Sequence, residues 1–184
     1  RFRRGGVMRI EVEYVRGEGE AFAPTSAPGE LALDGEQASL GTEARVEGRA
    51  SRSGEEVRVR GKIEAGVQVA CDRCLAPVNV PLEVEFQTAY IPREKAAAAE
   101  ENVELHADDL VLDAFEGDAI DLDELVREQI LLALPTRHLC REDCKGLCPD
   151  CGADLNAGHC GCEQTETDPR WAALADWKNK GRES

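Results

Sequence analysis

The stretch "EEVRVRGKIEAGVQVACDRCLAPVNVPLEVEFQTAY", residues 55–90, decides the fold. On both sides of the turn Cys71-Asp72-Arg73-Cys74, apolar residues occupy alternate positions. They are Val57, Val59, Ile63, Val67 and Val69 before the turn, and Val78, Val80, Leu82, Val84 and Phe86 after it. Alternation with one polar face is typical of antiparallel, half-buried strands. Because "ARVEGRA" continues the pattern upstream, we predict a β-meander over residues 40–91.

One amphipathic helix is predicted downstream of this meander. The segment "LDELVREQILLALP", residues 122–135, places apolar residues at helical spacing, with Asp121 as N-cap and Pro135 as the stop. Before it, "DDLVLDAFEGDAIDL" predicts two short strands around Glu116-Gly117, and "PREKAAAAEENVE" predicts either a short helix or a mobile excursion. A helix laid across a sheet gives an α+β fold, with the sheet as an antiparallel meander or a partly open barrel.

These elements divide the chain into three predicted units. Residues 1–38 form an N-terminal extension and edge segment, residues 39–135 the α+β domain, and residues 136–184 a cysteine-rich module with a short C-terminal helix. In that last helix Trp171, Leu174 and Trp177 recur every three residues and form one stripe. The stripe either caps the core of the protein or anchors a partner, since tryptophan is enriched among interface hot spots.

The charge balance favours a basic protein partner. Lys and Arg number 22 against 37 Asp and Glu, a net charge of −15. Residues 93–128 hold thirteen acids and three bases. Such a chain repels a phosphate backbone, so direct RNA contact should be limited. The alternative is RNA contact through a local basic strand face made of Arg45, Arg49, Arg52, Arg58, Arg60 and Lys62. The non-functional interpretation is that the acids only keep the protein soluble and that these basic residues form a solvated face of the sheet.

Targeting signals are not recognisable in the sequence. There is no apolar run of 18 residues, and "RFRRGGVM" at residues 1–8 is not followed by an apolar core. We therefore expect no membrane association and a reducing, cytoplasmic location, or a plastid if the source is a plant. In a reducing compartment, clustered cysteines more often bind metal than form disulfides.

The cysteines predict zinc. The stretch "CREDCKGLCPDCGADLNAGHCGC", residues 140–162, holds six of the eight cysteines. Within it, Cys148, Cys151, Cys160 and Cys162 form two close pairs, the spacing of a zinc-ribbon-like site. His159 lies within this stretch and is a rival ligand.

A second zinc site is predicted from the four remaining cysteines. Cys71 and Cys74 form a knuckle at a strand turn, and Cys140 and Cys144 follow the helix. If the helix packs on the sheet, the metal crosslinks the two elements. His138 is the rival ligand for Cys140.

The same residues argue against catalysis. A redox Cys-x-x-Cys pair opens a helix, whereas Cys71 and Cys74 lie between strands. A catalytic zinc keeps a position open for water, and complete four-thiolate shells leave none. We expect a structural metal and a protein that is not an enzyme. A redox-sensing or zinc-buffering protein is the third alternative.

Several of these motifs resemble the bacterial YceD family, named for large ribosomal RNA subunit accumulation. The similar stretches are "CDRCLAPV", "FEGDAIDLDELVREQILLALP", "LCREDCKGLCPDCGADLN" and "DPRWAAL", in this order between residues 70 and 177. The resemblance implies a ribosome-biogenesis role that supports synthesis, processing or stability of 23S rRNA. Combined with the acidic charge, it implies binding to a large-subunit ribosomal protein or a pre-ribosomal particle.

Overall fold

The computed structural model describes residues 8–17, 19–33, 38–100 and 112–162. Nine strands, two helices and a short 3-10 helix are present in these ranges. The strands are β1 (Arg9–Glu11), β2 (Glu20–Phe22), β3 (Thr25–Ser26), β4 (Ala38–Leu40), β5 (Ala44–Ser53), β6 (Glu56–Ala70), β7 (Pro77–Pro92), β8 (Leu112–Phe115) and β9 (Ala119–Asp121). The helices are α1 (Arg93–Glu100) and α2 (Leu122–Ala133), with the 3-10 helix at Val12–Tyr14.

A seven-stranded open sheet forms the body of the protein. Its order is β2-β5-β6-β7-β8, with β3 also pairing with β5 and β4 with β6. The long hairpin β6–β7 runs in antiparallel register from Val57↔Tyr90 to Ala70↔Pro77. The predicted alternation is confirmed here, because Val57, Val59, Ile63 and Val67 are fully buried. The open, mostly antiparallel sheet with a packed helix confirms the predicted fold class.

Helix α2 covers the core face of the sheet, and its boundaries follow the predicted signals. The side chain of Asp121 accepts hydrogen bonds from the backbone N–H groups of Asp123 (2.9 Å) and Glu124 (3.4 Å), which caps the helix. The buried stripe consists of Leu122, Leu125, Val126 and Ile130. This stripe brings the chain that follows α2 towards one end of the β6–β7 hairpin.

The two short strands predicted around Glu116-Gly117 exist, but they join different sheets. Strand β8 adds to β7 in parallel, with Ala89 opposite Leu112. Strand β9 pairs with β1 in a separate two-stranded sheet. Strand β8 runs in the same direction as β7, so this one parallel neighbour interrupts the antiparallel order of the sheet.

The described part of the predicted N-terminal extension shares the core of the α+β domain. Met8, Ile10 and Phe22 are buried in the same apolar cluster as the sheet. Strands β2 and β3 pair with β5, so this segment also forms the sheet edge. Described residues on both sides of residue 38 share one core, because Phe22 and Leu31 lie in the same apolar cluster as Val46 and Ile63. The predicted C-terminal stripe of Trp171, Leu174 and Trp177 lies outside the described residues. In the described part of the chain, no helix has the length and apolarity needed to cross a membrane.

Candidate metal centres and an acidic groove

The first centre joins the turn of the long hairpin to the loop after α2. We call Cys71, Cys74, Cys140 and Cys144 the bridging centre. Their sulfur atoms all lie within 4.8 Å of one another. The Sγ atoms of Cys71 and Cys144 are 3.9 Å apart, and those of Cys74 and Cys140 are 3.6 Å apart. Cys71 and Cys144 are buried, so this centre lies against the protein interior.

The second centre is built within the module that ends the described chain. We call Cys148, Cys151, Cys160 and Cys162 the terminal centre. The four sulfur atoms again lie within 4.8 Å of one another. Here Cys148 is buried, while Cys151 and Cys162 are exposed. The sequence prediction that these eight cysteines form two groups of four matches the arrangement in the structure.

Both centres use the same backbone turn. In the bridging centre, the N–H of Leu75 donates to the carbonyl of Cys71 (2.9 Å), and the N–H of Cys71 donates to the carbonyl of Ala76 (2.8 Å). In the terminal centre, Gly152 and Ala153 make the equivalent bonds with Cys148, at 2.9 and 2.8 Å. The turn directs the two sulfur atoms of each Cys-x-x-Cys pair towards one point.

Asp72 and Arg73, inside the first turn, hold the loop after α2 in place. The N–H of Asp72 donates to the carbonyl of His138 (2.8 Å), and its carboxylate accepts from the N–H of His138 (2.6 Å). Arg73 Nη1 donates to the carbonyl of Cys144 (2.6 Å), and the carbonyl of Arg73 accepts from the N–H of Leu147 (3.0 Å). Both halves of the bridging centre would therefore be close even before a metal binds.

Asn156 connects the two centres, and the sequence interpretation missed it. Its Nδ2 lies 3.5 Å from the Sγ of Cys144. Its Oδ1 accepts from the N–H of Lys145 and from Arg141 Nη2, each at 2.8 Å. Asn156 lies between the ligands of the terminal centre in the sequence, yet its amide contacts the bridging centre. The run "DLN" at residues 154–156, after the second Cys-x-x-Cys pair, gave no chemical signal for this role.

Hydrogen bonding favours the thiolate form of at least one cysteine in each centre. Backbone N–H groups, foremost that of Arg73, lower the pKa of Cys71 to about 6. Backbone N–H groups of Cys151 and Asp150 lower the pKa of Cys148 to about 7. A hydrogen bond to Cys144 raises the pKa of Cys140 to about 12, because a thiol bonded to a neighbouring sulfur retains its proton. Four sulfur atoms this close cannot all ionise unless a cation joins them.

This donor set fits a metal ion. A tetrahedral shell with metal–sulfur bonds of ~2.3 Å spaces the sulfur atoms by ~3.8 Å, close to the two separations measured in the bridging centre. Each group of four cysteines could therefore hold one metal ion. The rival histidines are not part of these groups. His138 Nδ1 lies 3.8 Å from Asp72 Oδ1, and His159 is exposed.

A groove lies at the opposite part of the fold, lined by β8, β9 and α2, with a volume of about 1400 Å³. The buried side chains of Tyr90 and Leu125 contribute to its lining. Six carboxylates line it against three basic side chains. The carboxylates belong to Asp113, Glu116, Asp118, Asp121, Glu124 and Glu128. Burial, and then the negative charges of Asp113 and Glu128, raise the pKa of Tyr90 above its usual value. The groove therefore has a negative potential over a partly apolar lining.

The fold and its two cysteine centres define a class of protein: an α+β sheet domain crosslinked to a cysteine-rich, zinc-ribbon-like module. The family model of the large ribosomal RNA subunit accumulation protein YceD matches residues 59–178. This chain belongs to the YceD family. The matched range includes both cysteine centres, helix α2 and all but the first three residues of the β6–β7 hairpin.

Curated relatives come from several bacteria and a plant. An uncharacterized protein of Mycobacterium tuberculosis is 34% identical over 122 residues, which is 66% of this chain and 56% of that protein. The uncharacterized protein YlbN of Bacillus subtilis is 29% identical over 131 residues, 71% of each chain. The chloroplastic large ribosomal RNA subunit accumulation protein YCED homolog 1 of Arabidopsis thaliana is 31% identical over 61 residues, 33% of this chain and 19% of that protein.

The chain spans 53–56% of the length of the mycobacterial relatives that it matches. No solved structure matches it.

Proposed function

We propose that this protein acts in the cytoplasm as a ribosome-biogenesis factor that supports 23S rRNA accumulation without catalysing a reaction. In this proposal it binds a basic large-subunit ribosomal protein, alone or in a pre-ribosomal particle, and its two zinc ions are structural. Membership of a family named for ribosomal RNA accumulation supports the biological setting. The acidic groove is the observation that carries the proposed mode of action.

Zinc is the metal that the donor sets favour. Four thiolates in a tetrahedron are one of the common shells of structural zinc in proteins. A shell of four sulfur atoms leaves no position for water, so the centres are suited to crosslinking rather than to hydrolysis. Native mass spectrometry should find two zinc ions per chain. Detection of only one ion would mean that one of the two centres does not bind zinc. A metal-free protein that melts at the same temperature would contradict a structural role for zinc.

The groove suits a basic partner because its carboxylates outnumber its cations and several remain uncompensated. Arg93 is engaged with Glu116 at 2.7 Å, and Arg127 lies 4.0 Å from Glu124. Among the described residues, Asp118 and Glu128 have no ion pair, and both are exposed. Lysine or arginine side chains of a ribosomal protein would find opposite charges here and apolar surface for their stems.

The rival interpretation, RNA contact through the basic strand face, is weakened because most of its cations have partners. Arg45 pairs with Glu43 (3.2 Å), Arg58 with Glu56, and Lys62 with both Glu64 and Glu83 (each 2.8 Å). Arg52 donates to the carbonyl groups of Gly54 and Val12. Of the six cations of this face, only Arg49 and Arg60 make no ion pair or side-chain hydrogen bond among the described residues, and they lie opposite each other on β5 and β6. Two arginines release few counterions from RNA, so they contribute little binding free energy compared with a dedicated RNA-binding surface.

Pull-down from lysate with and without nuclease separates the two functions. If a basic ribosomal protein is retained after the RNA is destroyed, and is released as salt rises, the proposed function is supported. Loss of all ribosomal material on nuclease treatment would favour RNA contact instead.

A charge-reversal pair tests the groove itself. The double change Asp118→Lys and Glu128→Lys should weaken retention of the ribosomal protein by about tenfold or more, because attraction becomes repulsion on the groove rim. Glu142→Lys is the matched control, since Glu142 is an exposed acid near the bridging centre and outside the groove. Equal retention by all variants would exclude the groove as the binding surface.

The absence of catalysis is tested separately. Insulin-reduction and RNA-cleavage assays should show no turnover by the purified protein. Turnover that is abolished by Cys71→Ser would overturn this part of the proposal and would favour the redox alternative.

A further inference from the structure

Strand β7 has a long edge with which no described strand pairs. It spans Pro77–Pro92 and pairs with β6 along one side for nearly its whole length. On the other side, β8 pairs only from Ala89 to Pro92. Among the described residues, no strand lies beside residues 77–88 on that side. An open edge of this length is a template for another strand.

The direction of the backbone groups along this edge follows from Gly66. The N–H of Gly66 donates to Thr42 Oγ1 (2.8 Å), and its carbonyl accepts from the N–H of Gly41 (2.8 Å), so both groups point away from β7. Pro81 stands directly opposite Gly66. In an antiparallel pair, opposite residues either exchange both bonds or point both groups outwards. The backbone of Pro81 therefore faces the open edge, which is where a residue without an N–H can be placed.

The same alternation extends along the strand, so three further residues direct their backbone N–H and C=O groups towards the open edge. Every second residue after Pro81 also faces outwards, namely Glu83, Glu85 and Gln87. Their side chains lie on the exposed face of the sheet. The intervening Leu82 and Val84 point to the core face, where they are only half-buried. An incoming strand would meet backbone bonding groups flanked by acids on one face and by aliphatic side chains on the other.

We propose that an extended basic segment of the partner protein adds to the sheet at residues 83–87 of β7, with Lys or Arg on one face and apolar residues on the other. This inference rests on the proposed function, which supplies a basic partner. The basic residues lie beside Glu85, and the apolar residues cover Leu82 and Val84. The open edge ends where β8 begins, and Tyr90 and Asp113 at that point line the acidic groove, so edge and groove adjoin. One segment can therefore contact both.

Charge favours a basic segment of the partner over two other candidates for this edge, namely a second copy of the chain and residues 101–111 of the chain itself. A second copy of the chain would bring its own Glu83 and Glu85 to the same edge, and like charges across strands are unfavourable. The chain's residues 101–111 contain four acids, which would also be repelled by Glu85. Glu83 is partly compensated by Lys62 at 2.8 Å, whereas Glu85 has no ion pair among the described residues. Glu85 is thus the position at which a cation gains most.

The test uses capped peptides and the full chain loaded with zinc. A peptide of alternating valine and lysine should bind and should protect the amides of Glu83, Glu85 and Gln87 from hydrogen exchange. A peptide of alternating valine and glutamate should not bind. Methylation of alternate backbone nitrogens of the valine–lysine peptide, on the edge that pairs, should abolish binding, whereas methylation of the other set should preserve it. Equal binding by both methylated peptides would overturn strand addition.

Two variants locate the site and separate it from the proposed function. Glu85→Lys should weaken binding of the valine–lysine peptide by about tenfold. Glu47→Lys, on the same face of the sheet but on β5, should leave this binding unchanged. If Glu85→Lys still retains the ribosomal protein from lysate at full level, the edge proposal is wrong and the proposed function stands. If no basic ribosomal protein is retained by the unaltered chain, the proposed function fails. Binding of the valine–lysine peptide then shows whether the edge of β7 accepts a basic strand. Amides already protected in the free protein would show that the chain or a second copy covers the edge, which overturns the proposal.

Discussion

The two cysteine centres share one turn but connect very different parts of the chain. In both, the residue after the second cysteine of the pair has a positive φ, 60° at Leu75 and 73° at Gly152. In the bridging centre, Cys74 and Cys140 are 66 residues apart in the sequence, and Cys71 and Cys144 are 73 residues apart. The terminal centre collects its ligands between Cys148 and Cys162. The same local chemistry therefore acts once as a tertiary crosslink and once as the core of a small module.

This difference predicts how stability depends on each centre. Closing a long loop restricts the unfolded chain more than closing a short one. The bridging centre also has two buried ligands, and it fixes the loop after α2 on the hairpin. The terminal centre has two exposed ligands and encloses little apolar surface. We expect global stability to rest on the bridging centre and only local order to rest on the terminal one.

The largest expected effect is the loss of one bridging ligand. Cys144→Ser should release one zinc ion and lower the melting temperature of the sheet by about 10 °C or more, since structural zinc contributes directly to folding. Cys148→Ser should also release one ion but should shift the melting of the sheet by less than about 3 °C, because only the terminal module unfolds. Circular dichroism and native mass spectrometry check both values.

Hydrogen exchange provides the control for this pair of variants. In Cys148→Ser, fast exchange should be confined to the module that holds Cys148 and Cys162. If Cys148→Ser destabilises the sheet as much as Cys144→Ser does, the two centres form one cooperative unit and the comparison breaks down.

A smaller effect is expected where the two centres touch. Asn156→Ala removes acceptors for Lys145 N–H and Arg141 and leaves Cys144 without its side-chain donor. The expected loss in the free energy of unfolding is about 1–3 kcal/mol. Asn156→Asp is the matched control, because it keeps the acceptor oxygen but not the donor. Chemical denaturation measures both, and an unchanged Asn156→Ala variant would show that the centres are independent.

The smallest effect concerns the shared turn. Leu75 is 66% exposed and adopts a conformation that favours glycine, so Leu75→Gly should stabilise the protein by about 0.5–1 kcal/mol. Gly152→Ala should destabilise the terminal module by about 1 kcal/mol, because a Cβ there meets no atom within 4 Å and only backbone strain remains. A destabilised Leu75→Gly variant would mean that the leucine side chain has a packing role.

The sequence predicted the elements whose signals are local. The alternation on both sides of Cys71 and Cys74 fixed the hairpin, because a strand exposes every second residue to the same face. The cap at Asp121 and the stop at Pro135 fixed α2. The sequence interpretation did not predict that Met8 and Phe22 join the core, because it assigned residues 1–38 to an extension and edge segment.

By itself the sequence grouped Cys148, Cys151, Cys160 and Cys162, since close pairs within a short stretch are a local property of the chain. It assigned the other four cysteines to a second site only as the remainder, and only the tertiary structure showed that Cys71 and Cys74 meet Cys140 and Cys144. The contact between Cys71 and Cys144 depends on α2 packing across the sheet and on Asp72 and Arg73 holding the loop that follows. The open edge of β7 is likewise invisible in the sequence, because an edge exists only through the pairing of strands distant along the chain. Local patterns specify elements, whereas long-range contacts depend on how those elements pack together.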